Sequence, residues 1–380
     1  MQFKKYHQAI NFFLKIFLQS KSYLAAFYIA QLEFFYANYG VANKFIDIFL
    51  AKYPRCPDAT YLKVQILFLM GSSKEAIALL LGLLKYSPRE KTLIILSKMV
   101  ENKHDFQKIL QIYREKYDIS SITLKAWDYI MDIAIKVEEY EIAKNYYQKK
   151  ILDKEAMPQK SNKKKKFFRA YEAQVALEDL SRIFERINIK MFLVSGTFLG
   201  CIRNKSILSH DYDIDVGVFE EDMNCKVLEN ILKEGVFYQH EFNKKGIIKL
   251  KHINGIMIDI FIHYRDGDIT YHLGAKNRWN NAAFKLQKYK FLDGEYYGAL
   301  DYELYLSENY GNDWRVPKKD FNSILDTPNI EIIDRQGYIV YLCRLLNNGG
   351  YSNKSKIIAE LEKYGEQEFV EKYQEIKLEC

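Results

Sequence analysis

From about residue 5 to residue 150, apolar residues recur at i, i+3, i+4 and i+7. That is the spacing of a helix with one buried stripe. One more amphipathic helix is predicted over 167–187, with Ala170, Val175, Leu177, Leu180 and Phe184 among its apolar positions. The pattern then changes. Lys190-Met191-Phe192-Leu193-Val194 reads as a buried strand and Asp213 to Phe219 as a second. Gly246 to Lys251 and Ile256 to Ile262 flank Asn254-Gly255, a dipeptide suited to a tight hairpin turn. Residues 331–380 return to a helical pattern, with Ile339, Leu342 and Leu345 on one side.

The helical half carries a weak repeat. Ala42, Ala76, Ile109 and Ala143 recur at intervals of 34, 33 and 34, and small residues there let a second helix pack closely on the first. Lys52-Tyr53, Lys85-Tyr86 and Lys116-Tyr117 recur at 33 and 31, and two of the breaks that follow contain Pro54 and Pro88. Gly71, in Met70-Gly71-Ser72-Ser73, marks a turn within one repeat. The period resembles that of a tetratricopeptide array, whose helix pairs stack into a curved, partner-binding surface. The alternative is a helical domain that only supports its neighbour. The expected division is a helical repeat domain at 1–152, a basic linker at 153–166 and a third region at 167–380. Helices followed by clustered strands make the fold class α+β. Lys163 to Lys166, within the linker, either attract phosphate or an anionic membrane or are simply solvated.

Composition narrows the classes. A 380-residue chain with 48% apolar and 28% charged residues buries real cores and is neither disordered nor collagen-like. Five scattered cysteines without a Cys-x-x-Cys pair argue against a disulfide framework or a structural zinc site, and for a reducing compartment. No run of 18 apolar residues exists to span a bilayer, and Lys15 and Lys21 interrupt the apolar N-terminal stretch, which lacks a signal-peptide cleavage site. The expected location is the cytoplasm, with room for a peripheral contact at the inner membrane face. The net charge of +7 is uneven: residues 1–160 hold 24 Lys+Arg against 16 Asp+Glu, leaving 32 against 33 for the rest. A basic first half suits an anionic surface or a solvated lysine-rich helical face. The second half has no positive excess to hold nucleic acid, so none is expected as a partner.

The chemistry lies between Ser195 and Asp259. A strand runs into Ser195-Gly196-Thr197, where a helix should begin. Backbone N–H groups at a helix start, with two hydroxyls and a glycine that lets a ligand approach, suit a phosphate. Asp213 and Asp215 alternate around Ile214 in an apolar strand, so both carboxylates share one face. Asp259, within Ile258-Asp259-Ile260-Phe261, is a third acid in an apolar strand. Three carboxylates in apolar strands are costly unless a cation sits among them, and hard oxygen ligands point to Mg²⁺ or Mn²⁺. Lys249 and Lys251 share one face of the adjacent hairpin arm, near His252; they bind diphosphate or form a solvated edge. His263 and His272 are either a base or ligand, or structural.

Ser-Gly-Thr-Phe-Leu-Gly-Cys-Ile-Arg at 195–203 and Asp-Tyr-Asp-Ile-Asp-Val-Gly at 211–217 resemble the signature of the LicD/fukutin family, a branch of the nucleotidyltransferase-fold superfamily. The likeness extends through Ile258-Asp259-Ile260-Phe261, Tyr310-Gly311-Asn312-Asp313-Trp314-Arg315-Val316-Pro317 and Thr327-Pro328-Asn329-Ile330, covering about residues 168–330. It implies a nucleotidyltransferase-fold catalytic domain that moves a phospho-alcohol from a CDP-activated donor to a sugar hydroxyl, releasing CMP. Donors of the family include CDP-choline and CDP-polyols such as CDP-ribitol. Carried over, Asp213, Asp215 and Asp259 are metal-binding and catalytic; the acceptor hydroxyl then loses its proton to one of these carboxylates, Asp259 first among them, or to metal-bound water. Gly196 and Thr197 hold the donor phosphates and Arg203 neutralises them. Bacterial members usually read Trp-Asp-Asp-Asp-Ile-Asp where this chain has His210-Asp211-Tyr212-Asp213-Ile214-Asp215. The Tyr variant tilts the donor toward a polyol phosphate. Asp211 is a further metal contact or a turn residue, and Trp314 either stacks on cytosine or sugar or packs beneath the Tyr310-Gly311 turn.

The leading expectation is a CDP-alcohol-dependent phosphotransferase acting on a surface polysaccharide, such as capsule or lipopolysaccharide, or on its lipid-linked precursor. Its helical repeats would bind a protein or membrane partner. A second reading keeps the fold and makes an activated sugar or alcohol from CTP. A third makes the chain a binding scaffold whose second half is catalytically idle.

Overall fold

The computed structural model describes residues 2–84, 89–100, 102–116, 124–153, 170–208, 213–241, 246–318, 320–349 and 351–378. The four-lysine run, His210, Asp211 and Tyr212 lie outside them, as do Tyr86, Pro88 and Tyr117 of the repeat. The chain divides into two compact units, Met1–Tyr146 with Leu232–Val236, and Tyr147–Ile231 with Phe237–Cys380.

The first unit is helical: α1 (Gln2–Ser20), α2 (Tyr23–Phe35), α3 (Tyr39–Lys52), α4 (Pro57–Leu69), α5 (Ser73–Leu84), α6 (Glu90–Lys98), α7 (Lys103–Lys116), α8 (Leu124–Lys136) and the start of α9 (Tyr140–Leu152). The helices α2, α4, α6 and α8 begin at 23, 57, 90 and 124, which are 34, 33 and 34 residues apart. Ala42, Ala76, Ile109 and Ala143 are all buried, each in the second helix of such a pair. Their small or slender side chains allow the close approach that the spacing predicted. Pro57 opens α4, where its missing N–H costs no helical bond, and Gly71 at φ +81° turns the chain from α4 into α5. No helix among the described residues is long and apolar enough to cross a membrane.

The second unit is a mixed sheet with helices, in line with the α+β reading. After α10 (Ala170–Arg186) come β1 (Phe192–Leu193), α11 (Ser195–Leu199), which runs into a π-helical turn at Gly200–Asn204, and β2 (Asp213–Phe219). Then follow α12 (Cys225–Lys233), β3 (Phe237–Glu241), β4 (Ile247–His252), β5 (Met257–Asp266), β6 (Ile269–Leu273), β7 (Asn277–Ala282), β8 (Leu286–Phe291) and β9 (Gly294–Ala299). The chain ends with α13 (Tyr302–Tyr310), β10 (Ile330–Ile332), α14 (Arg335–Asn348), α15 (Lys354–Lys363) and α16 (Gln367–Leu378).

The strand order is β10-β7-β6-β5-β2-β1-β9-β8, with β4 on β5 and β3 on β4. Parallel pairing joins β2 to β5; β4 and β5 form the hairpin expected at Asn254-Gly255, where Gly255 takes φ +98°. β2 has the predicted bounds, whereas β1 is only two residues long instead of the five read from the sequence. In α10 the buried face is Ala173, Ala176, Leu177, Leu180, Ile183 and Phe184. Ala170 is exposed and Val175 only half-buried, so neither anchors the helix as the apolar count implied. Of the apolar trio in α14, Ile339 and Leu342 are buried and Leu345 is half-buried.

Candidate active site

The site is built by strand register. Asp215 on β2 stands directly opposite Asp259 on β5, and Asp259 stands opposite Lys249 on β4. Side chains on paired residues point to the same face, so two acids and a lysine form one row across three strands. Asp213 projects from the same face two residues earlier. One carboxylate oxygen from each of Asp213, Asp215 and Asp259 lies within 4.8 Å of the other two. Asp259 is 7% exposed, and Lys249 Nζ donates to its Oδ2 at 2.5 Å. The lysine offsets one negative charge in a row that would otherwise repel itself, so Lys249 is neither a solvated edge nor remote from the acids.

The approach to this row is shaped by α11. Ser195, the first residue of α11, takes φ +47°, a left-handed conformation that costs a serine roughly 1–2 kcal/mol. Such strain persists only where the surroundings enforce it. The buried Tyr305 of α13 is hydrogen-bonded to the Ser195 backbone, and its hydroxyl pKa is raised, first by burial and then by nearby Asp215. Ser195 and Gly196 line a cavity of about 920 Å³ together with Asp215 and Arg203. Thr197 behaves differently from its neighbours: it is 1% exposed, and its Oγ1 accepts the backbone N–H of Asp215 at 2.9 Å. It fixes the start of β2 rather than lining the cavity.

Arg203 sits in the π-helical turn. Its Nη1 donates to the Trp314 carbonyl (3.1 Å) and its Nε to Asn204 Oδ1 (2.8 Å), and burial lowers its pKa. Trp314 is 3% exposed, lines the same cavity and carries the Arg315 guanidinium over its ring at 4.3 Å. It therefore combines the packed role with a place on the cavity wall.

The remaining expected residues separate. Lys251 shares the face of Lys249, two residues along and opposite Met257. His252 points the other way and bonds Asp179 of α10 at 3.1 Å, so it belongs to the packing of the sheet's far side. His263 and His272 stand opposite each other on β5 and β6, with rings 4.8 Å apart, and His272 stacks on Trp279 of β7 at 4.8 Å. Burial lowers the His263 pKa to about 4, partly opposed by its hydrogen bond with the Phe261 carbonyl. Burial, and then His263, lowers that of His272. Both rings are thus neutral at pH 7. Among the residues that sequence reasoning missed, Asn309, Trp279 and Thr327 line the cavity. Only Thr327, inside a quoted motif, had a signal.

Residues 188–295 match the nucleotidyltransferase domain described as LicD/FKTN/FKRP. Ribitol-5-phosphate transferase FKTN of Mus musculus is 24% identical over 168 residues, covering 42% of this chain and 36% of that protein. The protein of the same name in Homo sapiens is 23% identical with the same coverage. An uncharacterized protein of Rickettsia typhi (strain ATCC VR-144 / Wilmington) is 30% identical over 132 residues, which are 33% of this chain and 41% of that protein. The chain spans little more than a third of the length of the two transferases it matches. The family likeness read from the motifs is found over the segment that carries all three carboxylates.

Proposed function

We propose that the chain, through its LicD/fukutin-like segment, moves a phospho-alcohol from a CDP-activated donor to a sugar hydroxyl of a surface polysaccharide or its precursor. Ribitol phosphate is the favoured group, in keeping with the names of the two transferases, and phosphocholine the alternative. The observation that carries this reading is the gathering of Asp213, Asp215 and Asp259 on one sheet face, beside a cavity that also meets Ser195, Gly196 and Arg203.

Oxygen-only ligands within 4.8 Å of one another fit Mg²⁺ or Mn²⁺. Such an ion, when bound, would neutralise charge on the phosphoryl oxygens. Asp213, Asp215 and Asp259 would hold it. In this reading Arg203 and the backbone of Ser195-Gly196 draw the donor diphosphate to the cavity wall. Asp259 takes the proton of the acceptor hydroxyl. The hydroxyl oxygen forms the new bond to the phosphorus nearest the alcohol, the anhydride P–O bond breaks, and CMP leaves with the bonding electrons. Positioning and charge compensation supply most of the acceleration, as in phosphoryl transfer generally.

The test is incubation with CDP-ribitol, CDP-glycerol or CDP-choline and a panel of oligosaccharides, read by mass. Expected are transfer of the phospho-alcohol, CMP release, dependence on divalent metal, and loss of turnover in Asp213→Asn. Pyrophosphate release from CTP would replace this reading by a nucleotidyltransferase, and failure to bind any cytidine nucleotide would replace it by a scaffold. The intervals of 34, 33 and 34 residues between helix pairs support a tetratricopeptide-like role for the first unit, with a protein or membrane surface as its partner.

A further inference from the structure

The cavity extends well beyond the acids. Its lining includes Phe261, His272 and Trp279 as well as Asp215. Phe261 and His263 lie on the Asp259 face of β5, and the register His263–His272–Trp279 carries that face across β6 and β7. His263 is four residues beyond Asp259, about 13 Å along the strand. The floor therefore has an acidic end and an aromatic end joined by Phe261, whose ring is 5.0 Å from that of His272.

The two ends also differ in charge. His272 is neutral, Trp279 is neutral, and the polar side chains nearby are the uncharged amide of Asn309 and hydroxyl of Thr327, both nearly buried. Lys318, which with Asp320 also lines the cavity, is engaged by Asp313 at 2.6 Å and by the Tyr310 carbonyl at 2.6 Å. Flat rings with few, uncharged hydrogen-bonding groups suit a ligand with an apolar C–H face and a rim of hydroxyls. They do not suit a phosphate.

Sheet order decides which substrate this is. Ser195 and Gly196 follow β1, on one side of the Asp215–Asp259 pair, whereas His272 and Trp279 belong to β6 and β7 on the other. In-line displacement puts the attacking and leaving oxygens on opposite sides of the phosphorus. If the diphosphate and its nucleoside lie at Ser195-Gly196, the attacking hydroxyl arrives from the β6–β7 side. We infer that the wall formed by His272, Trp279, Asn309 and Thr327 is the subsite for the acceptor, a neutral sugar ring stacked against Trp279 with its reacting hydroxyl directed at Asp259. This deepens the transferase reading and rests on it for the direction of attack.

The experiment titrates the purified protein with neutral mono- and oligosaccharides, with and without CDP-ribitol, by calorimetry and tryptophan fluorescence. Expected is saturable sugar binding that weakens at least tenfold in Trp279→Ala and severalfold in Thr327→Val, with CDP-ribitol affinity unchanged in both. Trp279→Phe, which keeps a ring but loses the indole bond to the Ser323 carbonyl (3.2 Å), should stay within about threefold of the parent. Trp279→Phe also guards against a folding defect in the alanine variant. Loss of CDP-ribitol binding in Trp279→Ala with sugar binding intact would assign the wall to cytosine and overturn the inference. Absence of sugar binding by the parent protein would overturn it too. A protein that binds sugars but no CDP-alcohol would instead defeat the transferase reading and leave the sugar subsite standing.

Discussion

Two rows of side chains on one face of the sheet, both crossing β2 and β5, solve opposite problems. The row Asp215–Asp259–Lys249 gathers charge and manages it by pairing, with the lysine set directly across from one acid. The row Phe219–His263–His272, continued by Trp279, is built of uncharged rings, with the Arg265 guanidinium lying over Phe219 at its edge, and burial strips the imidazoles of their protons. A charged row can hold a cation and a phosphate, whereas a neutral aromatic row can only shape space and stack. Four residues along β5 separate the two regimes.

The comparison can be broken most forcefully at its charged end. Asp259→Asn keeps the shape of the side chain and removes its charge and basicity; turnover should fall by roughly 10²–10⁴-fold, measured as CMP release. A variant that kept full turnover would remove Asp259 from the chemistry.

The neutral row is tested by pH. His263 has a folded pKa of about 4 against an ordinary 6.5, so above pH 6.5 it is neutral whether folded or not. As pH falls from 6.5 toward 4, the unfolded chain takes up a proton that the folded one refuses, and stability declines by about 3 kcal/mol. Urea melts of the parent and His263→Gln across this window should show a shallower decline in the variant. Equal slopes would mean that His263 is protonated inside the fold.

The smallest effect sharpens the contrast. Lys249→Met leaves the Asp259 carboxylate without its cation. Because Lys249 retains 22% side-chain exposure, the cost should be about 2 kcal/mol, below that of breaking a fully buried pair. Adding Asp259→Asn to Lys249→Met should recover part of the loss in thermal melts.

Legibility in the sequence followed physical contrast. β2 was readable to its ends because Asp213 and Asp215 stand out in an otherwise apolar run, and the β4–β5 hairpin because Asn254-Gly255 demands a turn. The helix pairs were readable from their period. The strands β6 to β9 were not, since runs such as Asn277-Arg278-Trp279-Asn280-Asn281-Ala282 are too polar to resemble a buried strand, although Asp266-Gly267, with Gly267 at φ +58°, signalled the turn into β6. Alternation put Lys249 on the correct face but gave no partner for it, because cross-strand register is set by the whole sheet. For the same reason Trp279 could not be foreseen beside His272. Thr197 looked like a ligand for phosphate because it shares a motif with Ser195 and Gly196, whereas in the fold it is nearly buried, off the cavity lining, with its oxygen accepting the Asp215 N–H.

The pairing of Asp215 with Asp259 also carries a kinetic consequence. The two residues are 44 positions apart in the chain (215 to 259), joined only after α12, β3 and β4 have been laid down. A slip of one position between β2 and β5 would turn the second acid to the opposite side of the sheet. No half-formed fragment can therefore bring the acids together, and if the transferase reading holds, activity during refolding should return with the last, slowest phase rather than with early helix formation.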